Sequence, residues 1–507
     1  MAPLTAAQRR LLTATLSLAV FMNVLDLSIA NVAIPTIAGE LGVSADVGTW
    51  LITSFAVCAA IAMPLTGWLG RRFGERRVFL VCTTGFTIAS FLCGLAQDMP
   101  MLVAMRAIQG LVSGPMIPLS QSMLLGHYPD DKKNVALALI LMVTIAAPVL
   151  GPIFGGWITD NWAWEWVFYI NVPIGIVSML GTAMLLRGRE TKTERIPVDF
   201  VGIGLLALGV GSLQILLDRG KDLDWFHSST IVMLGVAAVI GLACFVAWEL
   251  TEKRPAVDLR LFARRNFTIG TTTLSLGYAV IFGNIVLLPL WLQTQQGYTA
   301  TWAGFATAPV GLLPIVLAPF VGRYMGRIDM RWWVTASLTS FAVMLFWFSG
   351  LETGVNFGNL AWGRFFQGVG LAFFFPPLLA ITISGLPQER VSAATGLANT
   401  IRTLAGSFAT SLTTWGWDQR EAHHQAQLTE HITDFDAITR ATTERLNELG
   451  AQGGSAWALI ERTISQQAYM LATNELFWIW GWALIALVLL IWMARPPFAA
   501  APRAAAD

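Results

Sequence analysis

Charged residues are scarce in this chain. Of its 507 residues 12% are charged and 55% are apolar, whereas a soluble domain carries about 25% charged residues. The formal net charge is +1, which provides no basic surplus for binding a nucleic acid. The composition therefore predicts an all-α polytopic membrane protein and excludes a nucleic-acid-binding function.

Cysteine and histidine are also rare. The four cysteines lie in apolar runs at spacings that match no zinc or redox motif, so we expect no metal site and no cofactor. No glycine-rich Lys-Ser/Thr phosphate loop occurs, which argues against ATP as an energy source. The apolar runs also contain no clustered His/Asp or Ser/His set. We therefore predict that the protein is not an enzyme.

What the chain has in abundance is long apolar runs. Runs of about 18 to 25 apolar residues can cross a bilayer, and fourteen are present. They lie roughly at 11–33, 49–69, 78–96, 101–125, 135–158, 166–186, 199–217, 228–249, 267–292, 301–325, 333–350, 359–384, 393–415 and 475–494. With the N-terminus inside, cytoplasmic segments hold 23 of the 32 Lys and Arg residues. Both termini are therefore predicted to be cytoplasmic.

The first span contains an acid. Asp26 lies within 11–33, where an ionisable side chain costs on the order of 3 kcal/mol and usually has a function. Arg106 in the fourth span lies at a similar depth, because both residues are about 12–13 Å from the outer end of their helices at 1.5 Å rise per residue. We predict that the two pair, with Asp26 carrying a proton and Arg106 tuning it.

The sequence contains an internal repeat. Arg106 is followed by Gln109 and Gly110, and Arg364 is followed by Gln367 and Gly368, 258 residues later. A second match at an offset of 255 relates the proline, glycine and arginine residues after spans 2 and 10. Duplicated halves are typical of secondary transporters. We predict two six-helix units, helices 1–6 and 9–14, with helices 7–8 inserted between them, and domains at 1–190, 191–260 and 261–507.

Two further motifs concern helix movement. The loop after span 2 has glycines for tight turns and arginines that can bridge to neighbouring helix ends; its predicted conformational residues are Gly67, Arg72, Gly74 and Arg76. Span 5 combines prolines that bend a helix with small residues that let helices approach closely. Its predicted conformational residues are Gly151, Pro152, Gly155 and Gly156.

These motifs resemble those of the major facilitator superfamily, in particular its 14-span drug:proton antiporter branch and the EmrB-type multidrug export proteins. The resemblance covers nearly the whole chain, and further segments that carry it are Ile52–Phe55, Pro64–Leu69, Asn266–Gly270 and Arg402–Ser407. It implies a major facilitator fold in an inner membrane. It also implies export of hydrophobic drugs as protons enter, and work with a periplasmic adaptor (membrane fusion) protein and an outer-membrane channel. One departure is Arg71, where the family usually has an acid.

The predicted substrate cavity has surplus positive charge. Three arginines, Arg106, Arg364 and Arg402, face one clear acid inside the spans, which favours hydrophobic weak acids, uncouplers and neutral drugs. Such cavities are mostly apolar and aromatic with few polar groups. The predicted substrate-binding residues are Asn31, Gln109, Tyr278, Phe282, Asn284, Arg364, Phe366, Phe373, Phe374, Asn399 and Arg402.

Other interpretations stay open at this point. The chain could be a proton-coupled exporter of one metabolite, an uptake symporter, or a sensor or channel. The polar segment 416–474 is predicted to form an outer loop, either solvated or contacting the adaptor, whose three histidines are surface residues (His423, His424 and His431).

Overall fold

The computed structural model describes residues 4–129, 132–253, 255–430, 432, 436–449 and 454–498. No strand occurs in these residues, and a helix covers each of the fourteen predicted spans. The helices are α1 (Ala6–Glu40), α2 (Trp50–Ala62 and Thr66–Phe73), α3 (Glu75–Cys93), α4 (Met99–Ser113 and Met116–His127), α5 (Lys133–Asn161), α6 (Trp166–Tyr169 and Asn171–Leu185), α7 (Phe200–Arg219), α8 (Ser229–Thr251), α9 (Arg265–Thr294), α10 (Ala300–Thr307, Ala308–Gly311 and Leu312–Tyr324), α11 (Met330–Phe348), α12 (Phe357–Ala372 and Phe375–Ile383), α13 (Gln388–Thr429) and α14 (Gly454–Ile491).

Within the described residues, ten of these helices are long and apolar enough to cross a membrane on those criteria alone. The two segments of α2, which meet at an angle of 58° next to Pro64, bring the number to eleven. The chain reverses direction at each connection, so α1 begins and α14 ends on the same face of the bundle. We call this the terminal face and the opposite end the loop face.

Local capping signals set several helix starts. Thr5 and Gln8 form a capping box at the start of α1. The Asp98 side chain accepts from the Met101 amide at 2.8 Å to begin α4, and 258 residues later Asn356 caps α12 at 2.9 Å. Both α4 and α12 then break near their middle. The two copies of the sequence repeat therefore also share an N-cap at the start of the helix and a break near its middle.

The repeated glycines bring helices close together. An added Cβ at Gly110 of α4 would overlap the Phe55 carbonyl oxygen of α2, and one at Gly368 of α12 would lie 2.6 Å from the Val310 carbonyl oxygen of α10. A side chain at either position would push the helices apart. The two sets of helices thus cross in the same way, in accord with two related halves; the domain boundaries remain predictions.

The first and second sets of helices meet on the terminal face. Asn399 of α13 donates to the Gln121 side chain of α4 at 3.1 Å, and Gln388 donates to the Ser122 carbonyl at 3.2 Å. Gly67 of α2 lies directly against Ala393. In this conformation α2 and α4 are closed against α13 at that end.

The segment 416–474, predicted as the outer connection between α13 and α14, is largely helical in its described residues. Helix α13 continues to Thr429 and α14 already begins at Gly454, with a short helix Ala437–Glu448 between them. Arg420 forms an ion pair with Glu475, which also contacts the His424 ring at 3.1 Å. These contacts join the extended ends of α13 and α14 beyond the predicted spans.

Candidate functional site

Asp26 and Arg106 lie in contact inside the first set of helices. Both side chains are fully buried, and Arg106 Nη1 donates to Asp26 Oδ2 at 2.5 Å. Asp26 lies near the middle of α1 and Arg106 in the first segment of α4. Helix α1 runs on through Pro35 to Glu40, so the predicted outer end was too early. The structure nevertheless brings the two side chains together.

The other oxygen of Asp26 has two amide partners. Asn171 Nδ2 of α6 donates to Oδ1 at 2.7 Å, and Gln109 Nε2 of α4 donates to the same atom at 3.2 Å. A carboxylate that accepts hydrogen bonds on both oxygens is stabilised in its ionised form. Asn171 was missed by the sequence analysis, although a lone amide in an apolar run was an available signal.

Arg106 is fixed by its own contacts. Its Nε donates to the Leu51 carbonyl at 3.1 Å and its Nη1 to Gln109 Oε1 at 2.8 Å. The guanidinium carbon lies 4.4 Å from the Phe55 ring centroid and 5.7 Å from that of Phe168. Aromatic faces attract a cation and exclude water. The ion pair is therefore enclosed on several sides, where a change in protonation has a large effect.

A similar cluster occurs in the second set of helices. Arg364 Nη1 of α12 donates to the side-chain oxygen Oδ1 of Asn284 in α9, and to Gln367 Oε1 at 2.6 Å. Arg364 and Asn284 are 80 residues apart, as are Arg106 and Asp26. Each member is related to its counterpart by the 258-residue offset. In this cluster a neutral amide therefore occupies the place of the acid.

An aromatic group surrounds the third buried arginine. The Arg402 guanidinium of α13 lies 5.1 Å from the Tyr278 ring centroid and 5.7 Å from that of Phe375. Tyr278 stacks on Phe282 at 5.4 Å. Arg402 Nε has no hydrogen-bond partner among the described residues. The structure thus brings three predicted substrate residues together and adds Phe375, which the sequence analysis did not select.

The remaining predicted substrate residues are scattered. Asn31 is exposed on α1, whereas Phe366 is 51% exposed and stacks on Trp362. Phe373 packs on Trp333 with ring centroids 5.1 Å apart. Phe374 is fully buried, and Asn399 is engaged by Gln121. In this conformation these five do not form one site.

The loop between α2 and α3 is tied to the segment after α6. Glu190 accepts from the backbone amides of Arg76 and Arg77 at 3.0 and 3.1 Å, which caps the start of α3. Arg72 donates to the Ile196 carbonyl, and Arg76 Nη2 to the Ala183 carbonyl at 3.1 Å. Arg72 and Arg76 therefore connect the loop after α2 to the end of α6 and to the linker that follows α6.

Gly74 and Glu75 follow Arg71, the residue that occupies the position where the family usually has an acid. Gly74 turns the chain with φ +92°, a conformation that favours glycine. Glu75 is then buried and accepts from Ser122 of α4 at 2.8 Å; its carboxylate also bonds with Ser392 of α13. An acid therefore does bridge the two sets of helices on the terminal face, but it is four residues beyond the position at which the family pattern has it.

The glycines of α5 have different neighbours. A Cβ added at Gly151 would overlap Ser28 of α1, and one at Gly155 would lie 3.1 Å from the Ile29 carbonyl. Gly156 has no atom within 4 Å of that position. Gly151 and Gly155 therefore permit the close contact of α5 with α1. The side chain of Pro152 lies outside the described residues.

The sequence count of one clear acid inside the spans is too low. The helices with membrane-spanning character include Glu75, Asp218 and Glu249. Asp218 at the end of α7 accepts from Gln214 at 3.0 Å and from Thr53 of α2. Glu249 is fully buried in α8 and accepts from the Val257 amide at 3.2 Å. The predicted spans 78–96 and 199–217 end short of Glu75 and Asp218, whereas Glu249 lies at the end of the predicted span 228–249 and was not counted.

The part of α13 that extends beyond the predicted span contains two of the three predicted histidines. His424 contacts Glu475, and the His423 and His424 rings lie 5.7 Å apart. His431 lies outside the described residues. No group of three or more His, Cys, Asp or Glu able to hold a metal ion occurs in the part of the chain that the structure describes.

Comparisons with known proteins agree with this geometry. The family model of the Major Facilitator Superfamily matches residues 16–410. The chain is 52% identical over 499 residues to the multidrug export protein EmrB of Escherichia coli K12, covering 98% of each chain. It is 48% identical over 496 residues to the fatty acid resistance protein FarB of Neisseria gonorrhoeae, again covering 98% of each.

Solved structures show a similar fold at low sequence identity. The proton:xylose symporter XylE superposes with a TM-score of 0.60 at 15% identity and 97% coverage of both chains. The human organic anion transporter MFSD10 gives a TM-score of 0.58 at 14% identity, covering 95% of this chain and 99% of that one. At such identities the likeness concerns the fold alone.

Proposed function

This chain belongs to the major facilitator superfamily, and we propose that it is a proton-coupled multidrug efflux antiporter of a bacterial inner membrane. The observation that carries the proposal is the enclosed Asp26–Arg106 pair with its amide shell. The 52% identity to a multidrug export protein supports the substrate class. Both termini, and hence the terminal face, lie in the cytoplasm in this proposal.

Proton binding at Asp26 supplies the coupling. The Asp26 carboxylate accepts hydrogen bonds from Arg106, Gln109 and Asn171. A proton on Asp26 removes the ion pair and leaves Arg106 as a buried cation without a counter-charge, which costs about 3–5 kcal/mol. Protonation therefore favours a conformation in which α1 and α4 have moved and Arg106 has another partner.

Latches on the terminal face act together with this site. Glu75 and Asn399 join the two sets of helices at that end, away from the Asp26 pair. A conformational change that opens the cytoplasmic side must break these contacts. We infer that drug enters when they are broken and leaves toward the loop face when they form again.

The substrate class follows from charge. Arg364 and Arg402 each lack a carboxylate partner among the described residues, and Arg402 lies against aromatic rings. Such surroundings favour hydrophobic weak acids, uncouplers and neutral drugs. The relative named for fatty acid resistance is in accord with an acidic apolar substrate.

A tripartite assembly completes the proposal. The extended ends of α13 and α14 and the helix Ala437–Glu448 would meet a periplasmic adaptor protein, which connects to an outer-membrane channel. Ile438 and Leu449 are 77% and 78% exposed in this segment, and they are the apolar side chains through which we propose that the adaptor makes contact. Ile438→Glu with Leu449→Glu should abolish copurification of the adaptor. Thr442→Glu with Thr443→Glu is the matched control, and unchanged copurification of the first variant would refute this contact.

The central test uses inside-out vesicles with an acid interior. A hydrophobic weak-acid drug that is not itself a proton carrier is added, and proton release from the vesicles is followed. Wild-type protein should release protons on drug addition, whereas Asp26→Asn should not. Asp98→Asn is the control, because it removes one carboxylate but retains a capping side chain. Equal release by both variants would place the coupling elsewhere, and no release by the wild type would refute antiport of this class.

A further inference from the structure

A cavity on the terminal face is lined by an excess of cationic side chains. Its volume is about 330 Å³. Four separate parts of the chain contribute to it: the end of α2, the linker after α6, the linker after α8 and the first turn of α13. The cationic residues are Arg71, Arg195, Lys253, Arg260 and Arg390. We call this cavity the basic pocket.

The charges of the basic pocket are poorly balanced. Two carboxylates, Glu194 and Asp258, also line it. Arg390 lies 3.8 Å from Asp258, a loose and partly exposed contact, and such pairs contribute little. Neither Arg71 nor Arg195 makes an ion pair with a carboxylate in the described part of the chain. The cations therefore repel one another, and an anion would relieve that repulsion.

Arg71 supplies a second and independent observation. Its Nε is buried and has no hydrogen-bond partner among the described residues, although a buried donor without a partner costs about 1–3 kcal/mol. Its backbone carbonyl meanwhile accepts from the Glu194 amide at 2.8 Å, so the backbone of Arg71 is fixed beside the linker. Arg71 therefore brings to the pocket a guanidinium group with an unpaired donor and, in the residues that the structure describes, with no carboxylate that balances its charge.

We propose that the basic pocket binds a phosphate-bearing anion. Guanidinium groups donate several N–H bonds in a planar fork and match the oxygens of a phosphate better than those of a small halide. The volume is sufficient for a phosphate group with its first substituents. The pocket lies at the level of the helix ends, where a phospholipid headgroup and a soluble phosphate both have access.

Binding here would act on the conformational equilibrium. Arg71 belongs to the first set of helices and Arg390 to the second, while Arg195, Lys253 and Arg260 belong to the two linkers that flank the inserted helices. An anion bridging these parts stabilises the arrangement that is closed on the terminal face. This site is separate from the Asp26 pair and does not depend on proton coupling.

The first experiment measures thermal unfolding of the full chain, purified in an uncharged detergent and stripped of lipid. The probes are inorganic phosphate, phosphatidylglycerol and phosphatidylcholine. We expect the unfolding temperature to rise with phosphatidylglycerol, with phosphate, or with both, and to rise less with phosphatidylcholine. A rise with phosphate identifies a soluble anion as a sufficient ligand, whereas a rise with phosphatidylglycerol alone identifies a lipid. No difference from phosphatidylcholine with either anion overturns the proposal.

Matched variants locate the effect. Arg71→Gln with Arg390→Gln should weaken the apparent affinity for the stabilising anion by about tenfold or more. Arg9→Gln with Arg10→Gln removes the same charge from the same face outside the pocket and should retain it. Equal weakening in both pairs would show a general charge effect and overturn the site.

Two further variants distinguish loss of the anion site from misfolding and from failure of the coupling proposal. Lys253→Gln with Arg260→Gln changes only linker residues, so it should fold even if the first pair does not, and it should also weaken the anion effect. Asp26→Asn retains every residue that lines the basic pocket, so a rise in unfolding temperature with the anion should still be measurable. An anion effect that is lost in Asp26→Asn but retained in the linker variant would contradict the basic pocket.

Discussion

The two buried arginine clusters differ in the side chain that contacts the arginine from the neighbouring helix. Around Arg106 the partners are a glutamine of the same helix and an acid, Asp26. Around Arg364 they are the corresponding glutamine and an amide, Asn284. The helix positions, the spacing and the close glycine contacts are shared. The repeat therefore encloses an arginine in each half, and in the first half a carboxylate faces it, where we propose that Asp26 binds a proton.

Replacing that carboxylate should have the largest effect. Asp26→Asn makes the first cluster resemble the second, so we expect the protein to fold, as the Asn284 cluster does, but to lose proton linkage. Binding of a neutral drug by wild-type protein should change by up to about tenfold per pH unit for one coupled proton. The variant should show almost no change, measured by equilibrium binding between pH 5.5 and about 8.5.

The reverse exchange tests the comparison from the other side. Asn284→Asp places an acid beside Arg364, where a second ion pair can form. We expect the pH dependence of drug binding to steepen, because two groups now release protons. Asn359→Asp, which adds an exposed acid in the first turn of α12, is the control. A pH profile of drug binding that matches the wild type would show that the two arginine clusters are not equivalent.

Loss of the second amide partner should have a moderate effect. Asn171 donates to the ionised form of Asp26 at 2.7 Å, and a hydrogen bond to a charged group contributes about 1.5–3 kcal/mol. Asn171→Leu should therefore move the midpoint of the pH profile upward by about one unit or more. Ser178→Ala on the same helix should leave the midpoint in place. A downward movement would contradict the proposed role.

The smallest effect concerns the caps of two related helices. Glu190 caps α3 from a distant linker, whereas Asp329 caps α11 locally and accepts from the Arg331 amide at 2.9 Å. The Arg331 side chain holds the pKa of Asp329 below its usual value. The stabilisation is therefore present at neutral pH and disappears as the pH falls through that lowered pKa.

Asp329→Asn should accordingly lower the free energy of unfolding by about 1 kcal/mol at pH 7. The difference from wild type should vanish in acid, as denaturant unfolding at several pH values can measure. Glu190→Gln should cost more than Asp329→Asn because Glu190 also holds a linker against the loop between α2 and α3. Equal losses in the free energy of unfolding for the two variants would contradict this expected order.

Much of the fold could be predicted because a bilayer imposes strong rules on sequence. All fourteen spans carry helices, since an apolar run at this depth must satisfy its own backbone. Helix ends were harder: α13 and α14 extend beyond their spans because polar residues that favour helix continue the hydrogen-bonded ladder into water. Glu75 and Asp218 were missed because their helices extend past the predicted span ends, whereas Glu249 lies inside the predicted span 228–249 and was not counted.

The amino-acid sequence by itself determined the class of protein, the order and direction of its helices, the repeat, and the two residues Asp26 and Arg106 as partners. Hydropathy and charge are local properties, so the amino-acid sequence shows them directly. Only the tertiary structure decided that Asn171 completes the shell of Asp26, that Glu75 reaches α13, and that Arg71 opens into a basic pocket. Those neighbours depend on the rotation and crossing of helices far apart in sequence, which packing alone sets.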